Sequence, residues 1–223
     1  MRRALATLWV VCLLLTASAA AQAENLIDNP GFEQTGANDM PQGWYRDMWF
    51  AQDGISRLIL DEDGYAGMGA RVENIAENDA RFAQDIAVEP GGYYEIGCMV
   101  RAEGIGDGAI GANISVRDTF AYSESVFDTG GAWVPLQLYG QAGADQTSIT
   151  VMARVGGYGA LNTGTAWFDD FYMRKIDEIP AGAASYDFTI LSASSGEEQA
   201  QASDMPERHT QAWLLAGFGI ALL

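Results

Sequence analysis

Short runs that alternate apolar and polar residues, separated by turns rich in glycine, aspartate and asparagine, dominate the sequence between residues 25 and about 175. Alternation with a period of two is typical of half-buried antiparallel strands, and no stretch has convincing helical periodicity over three turns. Eight runs are predicted to be strands: Ser56–Leu60, Ala70–Val72, Arg81–Val88, Tyr93–Arg101, Ala112–Arg117, Trp133–Tyr139, Ser148–Val155 and Ala166–Met173. Strands this numerous and closely spaced predict an all-β fold: a two-sheet antiparallel β-sandwich, or jelly roll.

The first 23 residues have the pattern of a secretory signal peptide. Arg2 and Arg3 precede the apolar run Ala4–Thr16, and the small-residue signal Ala21-Gln-Ala23 follows. The run is short for a membrane span of about 20 residues, which favours cleavage over retention as an anchor. We therefore expect an exported protein: periplasmic, on the cell surface or secreted.

Charge and residue counts exclude several functional classes. The chain has 12 basic and 30 acidic residues, and loss of Arg2 and Arg3 with the signal peptide takes its net charge from −18 to −20. Nucleic acids and anionic membrane surfaces are therefore poor partners. The only histidine is His209, beyond the predicted domain, so histidine-based triads and histidine-rich metal sites are excluded from the fold. Cys98, the only cysteine of the mature chain, alternates with apolar neighbours and is expected to be a core residue.

Beyond the predicted sandwich, which spans residues 24–176, the composition changes. Residues 177–211 are rich in Ala, Ser, Glu and Asp and read as an acidic flexible linker. Within it, Tyr186–Leu191 could add a short strand. Residues 212–223 are continuously apolar but too few to cross a bilayer, so they are interpreted as an incomplete membrane span or a sorting signal. Membrane association through this tail is expected, and the alternative is a docked strand.

Six sequence pieces resemble the carbohydrate-binding modules of families 4, 9 and 22, members of the galactose-binding-like jelly-roll group. They occur in the family order and cover about two thirds of the chain: Asn25–Glu33, Pro41–Trp44, Gly67–Val72, Pro90–Tyr94, Trp133 and Gly164–Met173. The resemblance implies a jelly roll that binds a polysaccharide or oligosaccharide without catalysis. It also implies that Trp44, Trp133 and Trp167 pack in the core.

The same resemblance implies a structural calcium ion held by Glu33 of the first piece and Asp169 of the last. Strand alternation favours Asp169 over Asp170, because it groups Asp169 with Trp167, Phe171 and Met173 on one face. If that face is the core, a carboxylate on it requires a partner. Calcium takes six to eight oxygen ligands, so backbone carbonyls or water would supply the others. The alternative is that both aspartates only accept hydrogen bonds in a turn.

Candidate ligand-binding residues lie on predicted non-core faces and in loops. Arg101, Asn113, Arg117 and Arg154 are polar residues on strand faces opposite the core, where they would hydrogen-bond sugar hydroxyls. The three arginines could equally form ion pairs with nearby acids. The loop and strand-end aromatics expected to stack on sugar rings are Trp49, Phe50, Phe120, Tyr122 and Tyr158.

Two other functions fit parts of the sequence. The linker and apolar tail would suit the extracytoplasmic sensing or interaction domain of a membrane protein. A small jelly-roll glycosidase or lyase would need a close pair of carboxylates or a tyrosine base, and no motif identifies such a nucleophile or base. Non-catalytic glycan binding is the leading hypothesis, with no catalytic residues assigned.

Overall fold

The computed structural model describes residues 24–107 and 110–191, which form a β-rich domain with one 3-10 turn at Ala37–Asp39. The strands of this part of the chain are β1 Tyr45–Met48, β2 Ser56–Asp61, β3 Gly69–Asn78, β4 Ala80–Ala87, β5 Tyr93–Glu103, β6 Ala112–Val116, β7 Val134–Gln141, β8 Ser148–Val155, β9 Asn162–Ile176 and β10 Ser185–Asp187. All eight predicted strands are present. Two short strands are also present: β1, which was not predicted, has four residues, and β10, which overlaps the start of the possible strand Tyr186–Leu191, has three.

The strands form two sheets packed face to face. One has four strands in the order β1-β4-β8-β6, and the other has six in the order β10-β7-β5-β9-β3-β2. The expected all-β sandwich is confirmed. Every pairing within the sheets is antiparallel except that of β10, which runs parallel to β7 at one edge of the six-stranded sheet.

The core lies between the sheets and is built from the inward residues of each strand. Phe32, Phe82 and Phe171 are fully buried and pack around one another, and Trp44 joins them as expected, with its ring centroid 4.9 Å from that of Phe32. Cys98 is buried in the same core, and burial, with smaller contributions from nearby aspartates, raises the pKa of its thiol well above the ordinary value. Cys98 is thus a packed core residue, as predicted.

A β-bulge in β9 changes the side-chain alternation that the sequence predicts. Gly97 pairs with Tyr172 but Met99 pairs with Asp169, so Asp170 and Phe171 both lie opposite Cys98. Asp170 takes the left-handed conformation, with φ of 49°. Because the extra residue reverses the alternation, the expectation that Trp167 and Asp169 share the inward face of Phe171 is wrong.

Trp167 and Trp133 do not join the core, contrary to expectation. Both rings lie on the outer face of the six-stranded sheet, where the guanidinium of Arg101 lies 4.3 Å from the ring centroid of Trp167 and 5.1 Å from that of Trp133. Trp167 Nε1 donates a hydrogen bond to Asp61 Oδ2. These tryptophans stack with a cation and do not fill space between the sheets.

Part of the segment assigned to the linker belongs to the sandwich. After β10, Phe188 is fully buried in the core, and its backbone N–H donates to Gln141 O. The signal peptide at 1–23, the linker residues 192–211 and the apolar tail at 212–223 lie outside the described residues. Within the described part of the chain, no helix is long and apolar enough to cross a membrane.

Candidate functional site

Three exposed aromatic rings surround a cavity of about 370 Å³ on the outer face of the four-stranded sheet. Trp49 follows β1, Phe120 lies in the turn after β6, and Tyr158 follows β8. Their exposed fractions are 60%, 69% and 80%. Rings this exposed, gathered around one concavity, mark a surface that is suited to stacking on a ligand. We call this cavity the groove.

A row of alternating charges lies along the floor of the groove and extends beyond it to Asp47. Asp47 accepts hydrogen bonds from Arg117 and from Arg81 Nε, the latter at 2.9 Å. Asp79 accepts from Arg81 Nη1 at 2.7 Å and from both Nε and Nη2 of Arg154, at 2.7 and 2.5 Å. Three guanidinium groups and two carboxylates are therefore fixed across β1, β4, β8 and the end of β6. Such a row presents rigid donors and acceptors to a ligand that carries hydroxyl groups.

Asp79 is the most deeply buried member of this row, with 4% of its side chain exposed. Burial alone would raise the pKa of its carboxyl. The hydrogen bonds and charges of Arg154 and Arg81 more than offset that effect and hold the pKa below the ordinary value. Asp79 is therefore a charged structural acceptor under neutral conditions.

A smaller cavity of about 160 Å³, which we call the side pocket, adjoins the groove. Four residues line both cavities: Thr119, Phe120, Arg154 and Tyr158. Asn113 and Ser115 of β6 form the inner wall of the side pocket, and the following residues line the remainder: Ile110, Ala121, Tyr122, Gly156 and Gly157. The two cavities form one continuous concave surface.

The structure brings seven of the nine candidate ligand-binding residues together around the groove and side pocket: Trp49, Asn113, Arg117, Phe120, Tyr122, Arg154 and Tyr158. Phe50 contacts Trp49 edge-on, with ring centroids 6.5 Å apart, but lines neither cavity. Arg101 lies on the other sheet, so it cannot share the groove. All three arginines form ion pairs, and Arg117 and Arg154 also line the groove.

Six residues that line the groove were not among the candidates from the sequence: Asp79, Arg81, Asp118, Thr119, Met152 and Leu191. Asp47, which pairs with Arg81 and Arg117 beside the groove, was not a candidate either. Arg81 could have been found, because it begins a predicted strand and alternates with inward Phe82. Asp47 lies in β1, which is too short to show a periodic pattern. Leu191 was assigned to the linker, but its backbone N–H donates to Asp118 O at 2.8 Å and its side chain lines the groove.

The two candidate calcium ligands converge on the loop between β2 and β3. Met68 N donates to Glu33 Oε1 at 3.0 Å, and Ala66 N donates to Asp169 Oδ2 at 2.9 Å. Gly31 lies between the two side chains: a Cβ there would be 3.6 Å from Asp169 Oδ1 and 3.8 Å from Glu33 Cγ. Two segments that are distant in sequence thus place both carboxylates beside one loop.

Asp169 is the buried carboxylate of this pair, whereas Glu33 is exposed. It is 1% exposed, and burial raises the pKa of its carboxyl, although backbone N–H groups of residues 65, 66 and 170 oppose that effect. Among the described residues, no cluster of three or more Asp, Glu, His or Cys side chains lies here or elsewhere. The donor set fits calcium if backbone carbonyls or water supply the other oxygens.

No family model matches the sequence, and no curated protein matches it. A protein of Bacteroides thetaiotaomicron proposed to bind sugar superposes with a TM-score of 0.52 at 14% identity, over 69% of this chain and 100% of that one. A family 61 carbohydrate-binding module in complex with β-1,4-galactotriose gives 0.47 at 16% identity, over 69% and 100%. The enzymatically active domain of a bacteriophage CBA120 tailspike gives 0.48 at 11% identity, over 68% and 21%. Together with the strand order, the likeness to the Bacteroides protein shows the fold, a two-sheet jelly roll.

Proposed function

We propose that this protein binds a polysaccharide or oligosaccharide in the groove, without catalysis and outside the cytoplasm. The observation that carries the proposal is the combination of three exposed rings with a fixed row of arginine and aspartate side chains in one concavity. Sugar rings present C–H faces that stack on aromatic rings, and their hydroxyls need donors and acceptors together. The signal-peptide pattern of residues 1–23 supports export.

The electrostatics of the groove favour binding over glycoside hydrolysis. A glycosidase needs a carboxyl group with a raised pKa to protonate the leaving oxygen. The arginines instead hold the pKa of Asp79 below its ordinary value, and the same row of ion pairs occupies Asp47. Guanidinium groups fix the carboxylates of Asp47 and Asp79, which suits these two groups to a structural and hydrogen-bonding role.

Removing one rim ring is expected to weaken binding. In Trp49→Ala or Tyr158→Ala, loss of one stacking contact should lower affinity about tenfold, which corresponds to about 1.4 kcal/mol. Isothermal titration against soluble β-glucan, galactan, mannan and xylan measures the effect. The wild-type chain should bind at least one of these glycans.

Tyr65→Ala provides the matched control, because Tyr65 is 51% exposed but stacks on Trp133 at the opposite sheet. Its affinity should equal that of the wild type. Equal binding by Trp49→Ala, Tyr158→Ala and the wild type would reject the groove as the site. Absence of binding to every glycan in the panel would reject the proposed function.

We further propose that Glu33 and Asp169 hold a structural calcium ion. The support is the buried carboxylate of Asp169, to which the described residues donate only backbone N–H groups, and the approach of Glu33 to the same loop. A bound divalent cation would neutralise this charge and connect the first segment of the domain to β9 and the β2–β3 loop. Its effect would be on stability, because the site and the groove lie on different sheets.

Calcium is expected to raise the unfolding temperature of the wild-type chain by several degrees, since a ligand that binds only the folded state stabilises it in proportion to RT ln(1 + [L]/Kd). Differential scanning calorimetry in 1 mM EDTA and in about 2 mM calcium measures this shift. Asp169→Asn should abolish the shift, whereas Asp170→Asn, which alters an exposed neighbour, should retain it. A wild-type unfolding temperature that calcium leaves unchanged would contradict the site.

A further inference from the structure

The side pocket contains a buried acceptor that lacks a partner. Asn113 is 1% exposed, and its Oδ1 accepts no hydrogen bond in the described part of the chain. A buried acceptor without a donor costs free energy relative to one that is satisfied, so most such groups in native proteins have a partner. This acceptor belongs to a residue that lines a cavity continuous with the groove.

The orientation of the Asn113 amide is fixed by its neighbours. Its Nδ2 donates to Gly111 O at 2.9 Å and to Gly156 O at 3.0 Å. Rotating the amide by 180° would place the oxygen against two carbonyl oxygens and lose both bonds. The unpartnered atom is therefore an oxygen, and only a hydrogen-bond donor can satisfy it.

The rest of the side pocket suits a small group that carries one hydroxyl. Arg154 Nη1 lies 3.5 Å from Ser115 Oγ, which makes this guanidinium nitrogen a donor near the inner wall. Ala121 and Gly157 provide an apolar lining. With a volume of about 160 Å³, the pocket is smaller than sites that hold a whole drug-sized ligand, about 300 Å³ or more.

We propose that the side pocket takes the exocyclic hydroxymethyl group of a hexopyranose whose chain lies in the groove. The hydroxyl would donate to Asn113 Oδ1 and accept from Arg154, while its methylene group contacts the apolar lining. This assignment makes the ligand a hexose-based glycan and selects against pentose chains such as unsubstituted xylan. The inference rests on the proposed function, because it needs a sugar chain in the groove.

Pairs of sugars that differ only in the hydroxymethyl group test the inference. Cellohexaose is compared with xylohexaose by isothermal titration, and galactose with L-arabinopyranose by competition in ligand-observed NMR. In the pair that matches its glycan, the wild-type chain should bind the hexose about tenfold or more tightly than the pentose, because the pentose leaves Asn113 Oδ1 unsatisfied. Asn113→Ala should bind both members of the pair with the affinity that the wild type has for the pentose.

Asn113→Ala also loses two backbone contacts, so Ser115→Val serves as a second variant. It replaces the hydroxyl that lies 3.5 Å from Arg154 Nη1 with two methyl groups, on a strand position that tolerates β-branching. Because the methyl groups would fill part of the side pocket, this variant should likewise abolish the preference. Equal wild-type affinity for both members of each pair would overturn the inference while leaving glycan binding intact. A preference that survives in the folded variants would place hydroxymethyl recognition elsewhere. Failure to bind any glycan would instead reject the proposed function, and this inference with it.

Discussion

Replacement of Phe188 by alanine is expected to lower the free energy of unfolding by about 3–5 kcal/mol, the usual cost of truncating a buried aromatic residue to alanine. Phe188 directly follows β10 and is fully buried in the core. Its ring lies over Gly140, and a Cβ on that glycine would come within 2.2 Å of the ring. The ring therefore occupies space that a side chain at position 140 would otherwise fill. Urea denaturation of the full chain, followed by tryptophan fluorescence, measures the change.

Ile190→Ala is the control, because Ile190 lies two residues further along the same segment and is 46% exposed. Its loss should cost less than about 0.5 kcal/mol. If the two variants were equally stable, the segment after Ile176 would be the mobile linker that its composition suggests. A large difference between them would establish that the sandwich extends at least to Phe188.

The C-terminal boundary of the sandwich could not be predicted from composition. The segment from 177 to 191 is polar and rich in small residues, and the alternation of Tyr186, Phe188 and Ile190 covers too few residues to establish a strand. The position of this segment depends on the packing of Phe188 over Gly140. That contact joins two segments that are distant in sequence, so composition cannot predict it. Long strands such as β5 and β8 were predictable because each alternates over at least eight residues against one shared core.

The bulge at Asp170 explains the main error in the sequence reasoning. Strict alternation assigns Trp167, Asp169 and Phe171 to one face, and a single inserted residue separates the first two from the third. Bulges have no obligatory sequence signal unless glycine takes the left-handed position, and here an aspartate takes it. Asp169 is buried all the same, because the β2–β3 loop covers it from the outer side.

Only part of the candidate groove could be predicted, because the sequence does not show how the strands pair. Alternation shows that Arg101, Arg117 and Arg154 all lie on outward faces, but it cannot show which sheet contains each strand. Pairing places β6 and β8 in one sheet and β5 in the other. The groove therefore keeps two of the three arginines and adds Arg81, whose strand β4 pairs with β8.

Asp79→Asn is expected to destabilise the folded chain by about 3 kcal/mol, because it leaves two guanidinium groups with little exposure facing a neutral amide. The side chains of Arg81 and Arg154 are 14% and 13% exposed. Asp63→Asn is the matched control: its carboxylate pairs with Arg101 at 2.7 Å but is 72% exposed. That variant should lose less than about 1 kcal/mol. Chemical denaturation at pH 7 compares the two.

The pH dependence of stability distinguishes the effect of the Asp79 charge from the effect of its side-chain shape. Arg154 and Arg81 hold the pKa of Asp79 in the folded chain below the ordinary value of 3.8, despite burial. Between the two pKa values the unfolded chain binds a proton that the folded chain does not, so acidification favours unfolding. The stabilisation is complete well above pH 3.8 and is lost as the pH falls through the lower pKa of the folded state. The stability difference between the wild type and Asp79→Asn should therefore be constant near pH 7 and shrink below about pH 4. A difference that stays constant at acid pH would mean that the aspartate acts through its shape, and that the charge row on the groove floor contributes nothing to folding.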